Sequence, residues 1–179
     1  RVWSSGHDVD ELPLADVDPI PYSEPLEKLL RAVKRFPAPV IAMVHGSVWG
    51  GAFDLVMACD IVLCDETGAF AITPAKLGLP YNTNGFLNFM SRAPLGIVKE
   101  MFFTADPISA QRALRAGFVN EVIPEDQLEE RTYTMARTIA SRSAAAVAAA
   151  KQTIHALSDS ATISPDTYER LHGLRRDAY

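Results

Sequence analysis

Apolar positions change their spacing several times along this chain, and each spacing predicts an element. Leu26, Leu29, Leu30 and Val33 recur at helical intervals after Ser23, a good N-cap, until Pro37 and Pro39 end the pattern. The next segment, PVIAMVHG from Pro39 to Gly46, is short, nearly all apolar and closed by glycine, as a strand covered on both faces reads. GGAFDLVMAC then predicts a helix, and DIVLCD and GAFAIT two further strands. Strand, glycine-rich turn, helix, strand is the alternation of an α/β fold.

From Asn84 onward the pattern turns helical, through GFLNFMSRA, IVKEMFFTA and an ISAQRALRA segment stopped by Gly117, with one short strand, FVNEVI, after it. Beyond Pro124 come three more helical stretches: QLEERTYTMARTIAS, SAAAVAAAKQTIHAL and PDTYERLHGLRRDAY. This divides the chain into an α/β core over residues 1–123 and a helical region over 124–179. Alanine-rich faces let helices approach closely, so the last helices serve either as an interface between copies or as completion of the core.

The 179 residues fit one domain, or one domain with a helical appendage, and 48% apolar with 22% charged residues is a globular composition. A net charge of -5 argues against nucleic acid as the main partner, because phosphate backbones need a concentrated basic surface. No apolar run reaches the ~18 residues of a membrane span, and RVWSSGHD is not a signal peptide, so a soluble, cytoplasmic protein without membrane contact is expected. Cys59 and Cys64 stand in an apolar stretch at a spacing that suits neither zinc nor a disulfide framework, and read as small buried hydrophobes. The chain lacks an initiator Met and opens on the strand-like Val2-Trp3, which implies that something precedes residue 1.

The chemistry concentrates in HGSVWGGAFDL, His45 to Leu55, where glycines stand at the passage from a buried strand into a helix. Glycine there lets a ligand approach the backbone, and the first N–H groups of a helix have no internal partner. With the positive end of the helix dipole they suit a negative oxygen. A tight turn with glycines for packing alone reads the same way. Gly46 and Gly51 have P-loop spacing, but Ala52-Phe53 follows in place of Lys and Ser/Thr; GxGxxG is absent, and Ser47 does not make GxSxG. Backbone donors remain, without a motif nucleophile.

A second loop, SSGHDVDEL from Ser4 to Leu12, follows the first strand and can supply another backbone N–H. SSGHDVDEL, HGSVWGGAFDLVMACDIVLCDETGAFA and ISAQRALRAGFVNEVIP together resemble the enoyl-coenzyme A hydratase/isomerase (crotonase) superfamily, and with the stretches between them they cover nearly the whole chain. The resemblance implies a crotonase-like ββα spiral lacking its first strands, a homotrimer or dimer of trimers, and an acyl-CoA thioester substrate. It implies an oxyanion hole from the amides of His7 and Gly51, and no cofactor, since coenzyme A arrives on the substrate. Ser5, Gly6, Asp8, Val9 and Arg1 are the implied coenzyme A contacts.

Departures from the hydratase pattern narrow the activity. The two hydratase glutamates align with Asp54 and Pro74, and proline cannot transfer a proton, so the paired machinery of hydration is broken. TPAKLGLPYN, Thr73 to Asn82, resembles the loop of a branch that decarboxylates methylmalonyl-CoA to propionyl-CoA, with Thr73 and Tyr81 at its polar positions. Tyr81 is expected to donate to the substrate carboxylate. Enoyl-CoA hydration or isomerisation, and a non-catalytic truncated subunit, are the alternatives. Trp49 and Phe53 read as pocket wall and core, Asp54 as a capping or orienting group, and His45, His155 and His172 as structural. His7 with Asp8, Asp10 and Glu11 is read as an acidic loop rather than a metal site.

Overall fold

A computed structural model describes residues 1–11, 24–158 and 164–178. Strand β1 (Val2–Ser4) leads through a short 3-10 turn to helix α1 beyond the undescribed segment. Helix α1 (Pro25–Arg35) begins with Pro at its first turn, where the missing N–H costs nothing, and ends in Lys34 and Arg35, which suit the negative pole. Its N-cap is Glu24, whose carboxylate accepts the Glu27 amide at 3.1 Å. The expected cap Ser23 lies outside the described residues.

The apolar run after Pro39 is not one strand into a helix. It splits at His45-Gly46 into β2 (Ile41–Val44) and β3 (Ser47–Trp49), and the two join different sheets. Gly46 makes the break possible: its φ is +86°, and a Cβ there would lie 2.6 Å from the Arg1 carbonyl oxygen. Helix α2 (Gly51–Ala58) follows, then β4 (Ile61–Asp65) and β5 (Ala69–Ala71), which repeat the same passage between sheets. Two helices, α3 (Thr83–Met90) and α4 (Leu95–Thr104), precede the two-residue β6 (Ile108–Ser109), helix α5 (Ala110–Ala116) and β7 (Glu121–Ile123). Strands order as β1-β3-β5-β6 in one sheet and β2-β4-β7 in the other, parallel except for the β5–β6 pair. Each strand pair thus climbs one step in both sheets at once, which is a ββ spiral.

Phe53 of α2 occupies the centre of the core. It is fully buried and contacts Phe70, Phe89 and Phe118 with ring centroids 5.2, 4.9 and 5.4 Å away. Helix α6 (Leu128–Ala140) lies on the three-stranded sheet, where Leu128 joins Leu63 and Ile123 in a second apolar cluster. Helices α7 (Ala144–Ser158) and α8 (Pro165–Ala178) complete the described chain. Lys151 of α7 is buried and donates to Asp60 Oδ2 at 2.7 Å and to the Ala38 and Val33 carbonyls at 3.1 and 3.3 Å. His155, one turn on, lies 3.2 Å from the other oxygen of Asp60. His155 therefore ties α7 to the core. Cys59 and Cys64 are free and buried, and burial pushes their thiols up to about 11 and about 12. Among the described residues no helix is long and apolar enough to cross a membrane.

Because three aromatic rings close on Phe53, its truncation leaves a cavity that none of them can fill by a rotamer change alone. Phe53→Ala is expected to cost about 3–5 kcal/mol in urea unfolding, against less than about 1.5 kcal/mol for an exposed apolar site such as Phe103→Ala.

Candidate functional site

Strands β1 and β3 are parallel neighbours, with Val2 opposite Ser47 and Ser4 opposite Val48, so the loops leaving them emerge side by side. The β1 loop carries Ser5, Gly6 and His7; the β3 loop carries Gly50 and runs into the first turn of α2. A Cβ placed on Gly6 would lie 3.1 Å from the Gly51 nitrogen, and one on Gly51 would lie 3.5 Å from the His7 nitrogen. Backbone meets backbone here.

Gly50 is the N-cap of α2 with φ +52° and ψ -122°, a conformation that a side chain would strain. Its own amide is taken by the Ala71 carbonyl at 2.9 Å, which fixes the turn to β5. Among the described residues, the Gly51 and His7 amides have no backbone acceptor outside their own elements. Among the described residues, two N–H groups without a backbone acceptor therefore stand together beside the start of α2, where the dipole favours negative charge.

Both residues line one cavity of about 150 Å³, together with Ser5, Val9, Leu26, Asp54, Thr73, Pro74 and Tyr81. All four residues given catalytic roles from the sequence, His7, Gly51, Thr73 and Tyr81, are brought together. Thr73 has its Oγ1 3.1 Å from the place a Gly50 Cβ would occupy, so its hydroxyl faces the turn. Of the implied coenzyme A contacts, Ser5 and Val9 face the cavity. Gly6 lies behind them against Trp49 and Gly51, and Asp8 accepts the Asp10 amide at 3.1 Å. Arg1 stands apart, paired with Glu125 in a separate depression that His45 and Glu129 also line. Trp49 backs the loop rather than forming pocket wall, its indole N–H donating to Ser47 Oγ at 2.9 Å. Among the described residues, no group of three or more His, Cys, Asp or Glu is arranged to hold a metal.

Asp54 carries more of the site than a capping or orienting group would. It is 2% exposed, on the face of α2 that looks into the cavity, and Oδ2 accepts the Tyr81 hydroxyl while Oδ1 has no hydrogen-bond partner among the described residues. Burial pushes its carboxyl up to about 7; the Tyr81 hydrogen bond opposes that rise, and the Glu27 charge reinforces it. Burial likewise pushes the Tyr81 phenol upward, reinforced by Asp54, so Tyr81 stays a neutral donor. The expectation that Tyr81 donates directly to substrate meets a competing acceptor here, because its O–H is already given to Asp54. Gly85 makes room for that ring: a Cβ there would come within 2.7 Å of Tyr81 Cδ1, while the Gly85 amide is held by the α3 cap Asn82 at 2.5 Å.

Two backbone donors juxtaposed beside a helix start, with an acidic residue one turn into that helix, form an arrangement chemically suited to holding a negative oxygen. The family comparison agrees: residues 1–170 match the enoyl-CoA hydratase/isomerase family model, and the chain belongs to that family, with the crotonase fold. It is 43% identical over 179 residues to methylmalonyl-CoA decarboxylase of Escherichia coli (strain K12), covering the whole of this chain and 69% of the relative. It is 38% identical over 121 residues to carnitinyl-CoA dehydratase of Salmonella typhi, covering 68% of this chain and 46% of that one. It superimposes with a TM-score of 0.95 and 43% identity on methylmalonyl-CoA decarboxylase in complex with 2-nitronate-propionyl-CoA, over 98% of this chain and 68% of the other. The chain thus spans about two thirds of the decarboxylase's length and less than half of the dehydratase's.

The hydrogen bond from Tyr81 favours the ionised form of Asp54, so its removal must raise the carboxyl further. In Tyr81→Phe the protonated-carboxyl C=O band of Asp54, followed by infrared difference spectroscopy, is expected to persist to higher pH than in wild type. An unchanged midpoint would mean that the two groups do not share that hydrogen bond.

Proposed function

We propose that the full protein decarboxylates a malonyl-type thioester, converting methylmalonyl-CoA to propionyl-CoA and CO2. The observation that carries the reading is the make-up of the cavity: two backbone donors and one buried carboxyl group, with Pro74 where hydration would need a second acid. The 43% identity with the decarboxylase supports the same choice.

The thioester oxygen sits at the amides of His7 and Gly51. As the bond from the α-carbon to the carboxylate breaks, its electron pair enters the thioester and negative charge grows on that oxygen. Donors fixed in advance stabilise this charge more than the ground state, and one such donor is worth about 3 kcal/mol. CO2 leaves neutral. The enolate then needs one proton at the α-carbon, and Asp54 supplies it from Oδ1, the oxygen that Tyr81 leaves unoccupied. Asp54 takes the proton back from solvent. The incoming substrate carboxylate helps, because a second negative charge in a dry cavity drives Asp54 further toward its neutral acid. Tyr81, through Oδ2, aims the carboxyl group. No cofactor beyond the coenzyme A carried by the substrate enters this chemistry.

Substrate size follows from the walls. Leu26, Pro74 and Tyr81 bound the cavity, which suits a short branched acyl group and leaves the coenzyme A arm to the Ser5–Val9 side. Apolar side chains such as Ile154 and Leu174 are exposed on α7 and α8, which supports assembly of these helices with other copies as a trimer or dimer of trimers.

The test is CO2 release and propionyl-CoA formation from methylmalonyl-CoA, run beside hydration of crotonyl-CoA. Decarboxylation without appreciable hydration is expected, and Asp54→Asn is expected to lower kcat about 10²- to 10³-fold, as loss of a positioned acid does. Since the acid must be protonated, kcat/KM should fall as pH rises through about 7, the limb of the free protein, and the Asp54→Asn variant should lack that limb. Rapid hydration without CO2 release would overturn the assignment in favour of a hydratase or dehydratase; no turnover of either thioester would favour a non-catalytic subunit.

A further inference from the structure

The N-cap and first turn of α1 touch both halves of the donor pair. Leu26 sets its Cδ2 2.8 Å from the position a Cβ on Gly51 would take, so it lies directly on that glycine. Glu24 uses its two oxygens separately: Oε2 accepts the Glu27 amide at 3.1 Å and caps α1, while Oε1 lies 3.6 Å from Nδ1 of His7. The glutamate side chain is 10% exposed and that of His7 is 21% exposed, so water screens the contact little. At 3.6 Å this is an electrostatic contact rather than a hydrogen bond.

We infer that Glu24 is a positioning residue that acts through the His7 side chain, holding the His7 amide beside Gly51. His7 lies between β1 and the 3-10 turn at Val9–Glu11, and among the described residues its amide belongs to no helix or sheet ladder. Glu24 supplies an anchor, and because the same carboxylate caps α1, the loop and the helix that covers Gly51 are held in one frame. A helix cap alone would stabilise α1 and leave the donor pair indifferent to the charge at residue 24. A positioning role makes the strength of the hydrogen bond to the thioester oxygen depend on that charge and on the imidazole of His7.

This inference rests on the thioester reading of the cavity, and the experiment separates the two. In the full protein, Glu24→Gln keeps an oxygen to accept the Glu27 amide and removes the negative charge; His7→Ala keeps the amide and removes the imidazole. Bound propionyl-CoA, labelled with 13C at the thioester carbonyl, reports the donor pair through its C=O stretching frequency, which falls as hydrogen bonds to the oxygen strengthen. Each single variant is expected to move the stretch back toward that of free ligand and to lower kcat about tenfold with KM changed less than about twofold, as lost transition-state positioning does. The double variant is expected to be no worse than either single one, since both break the same contact. Melting temperature should hold in Glu24→Gln, where the cap survives. A wild-type stretch in Glu24→Gln, or additive effects in the double variant, would overturn the positioning role. If the wild type binds propionyl-CoA with a lowered stretch but releases no CO2, the decarboxylase reading fails while the stretch still decides the role of Glu24. Absence of any thioester binding would sink both.

Discussion

Close approach of two backbone segments, Gly6-His7 and Gly50-Gly51, is the constraint on which the rest of this structure depends. Parallel pairing of β1 with β3 delivers the two loops to the same end of the sheet, where open α/β sheets characteristically bind ligands. At Gly6 the approach admits no side chain, and at Gly51 a side chain would have to displace Leu26. A Cβ on Gly6 would run into the Trp49 carbonyl, and one on Gly51 would meet Leu26. Among the described residues the glycines leave a pair of amides without a backbone acceptor beside the head of α2, and α2 is itself held by the burial of Phe53 among Phe70, Phe89 and Phe118. The core therefore fixes the helix, the helix fixes Gly51, and the sheet register fixes the partner loop. The chemistry proposed for the cavity uses atoms that every residue possesses, made special only by where the fold leaves them unpaired.

Much of this is legible in the chain because the signals are local. Leu26 to Val33 gives α1, the apolar run after Pro39 gives a buried strand, and glycine before a hydrophobic helix gives the donor turn. Family resemblance then joins His7, Thr73 and Tyr81 to Gly51, and the cavity has all four on its wall. What local signals miss is β3. Ser47–Trp49 looks like part of the turn because its partners are β1 and β5, distant in sequence, and the positive φ that throws it into the other sheet belongs to Gly46. Arg1 is drawn away from the cavity for a similar reason: a terminal cation carries no information about its partner, and the fold pairs it with Glu125. The signal for Asp54 is present, a lone carboxylate inside GAFDLVMA, but its meaning depends on Tyr81, 27 residues away.

Two aspartates, one buried and one half-buried, show how the same residue type is put to opposite uses. Burial pushes Asp60 upward too, but Lys151, the Val40 amide and His155 outweigh it and hold the carboxyl below its ordinary range. Asp60 therefore contributes stability above the unfolded value, and that stability is lost as pH falls through the folded one. Against burial, Asp54 can set only the Tyr81 hydroxyl and, more weakly, the charge of Lys34, while Glu27 adds to the rise. Its folded value of about 7 lies above the ordinary 3.8, so the native protein binds a proton that the unfolded chain has released. Stability from this group is fully present below the ordinary value and is lost as pH rises through the folded one, at about 1.4 kcal/mol for each pH unit between the two.

A carboxylate that weakens the fold near neutral pH would be better replaced by leucine if α2 were only a core helix. The surrounding residues instead keep it and turn the nearby cations elsewhere: Lys34 donates to Asn88 at 2.5 Å, and Arg31 lies 3.6 Å from Glu27. That arrangement has a chemical consequence. An Asp54 held in an ion pair would stay ionised, and it would repel the substrate carboxylate that the proposed reaction brings beside it. With Tyr81 as its hydrogen-bond donor, it is held where the arrival of one more negative charge converts it to a neutral acid. In the proposed decarboxylation, the stability forgone in α2 is the free energy difference that leaves a proton in the cavity at the moment an enolate needs one, and Pro74 stands where a second carboxylate would compete for it.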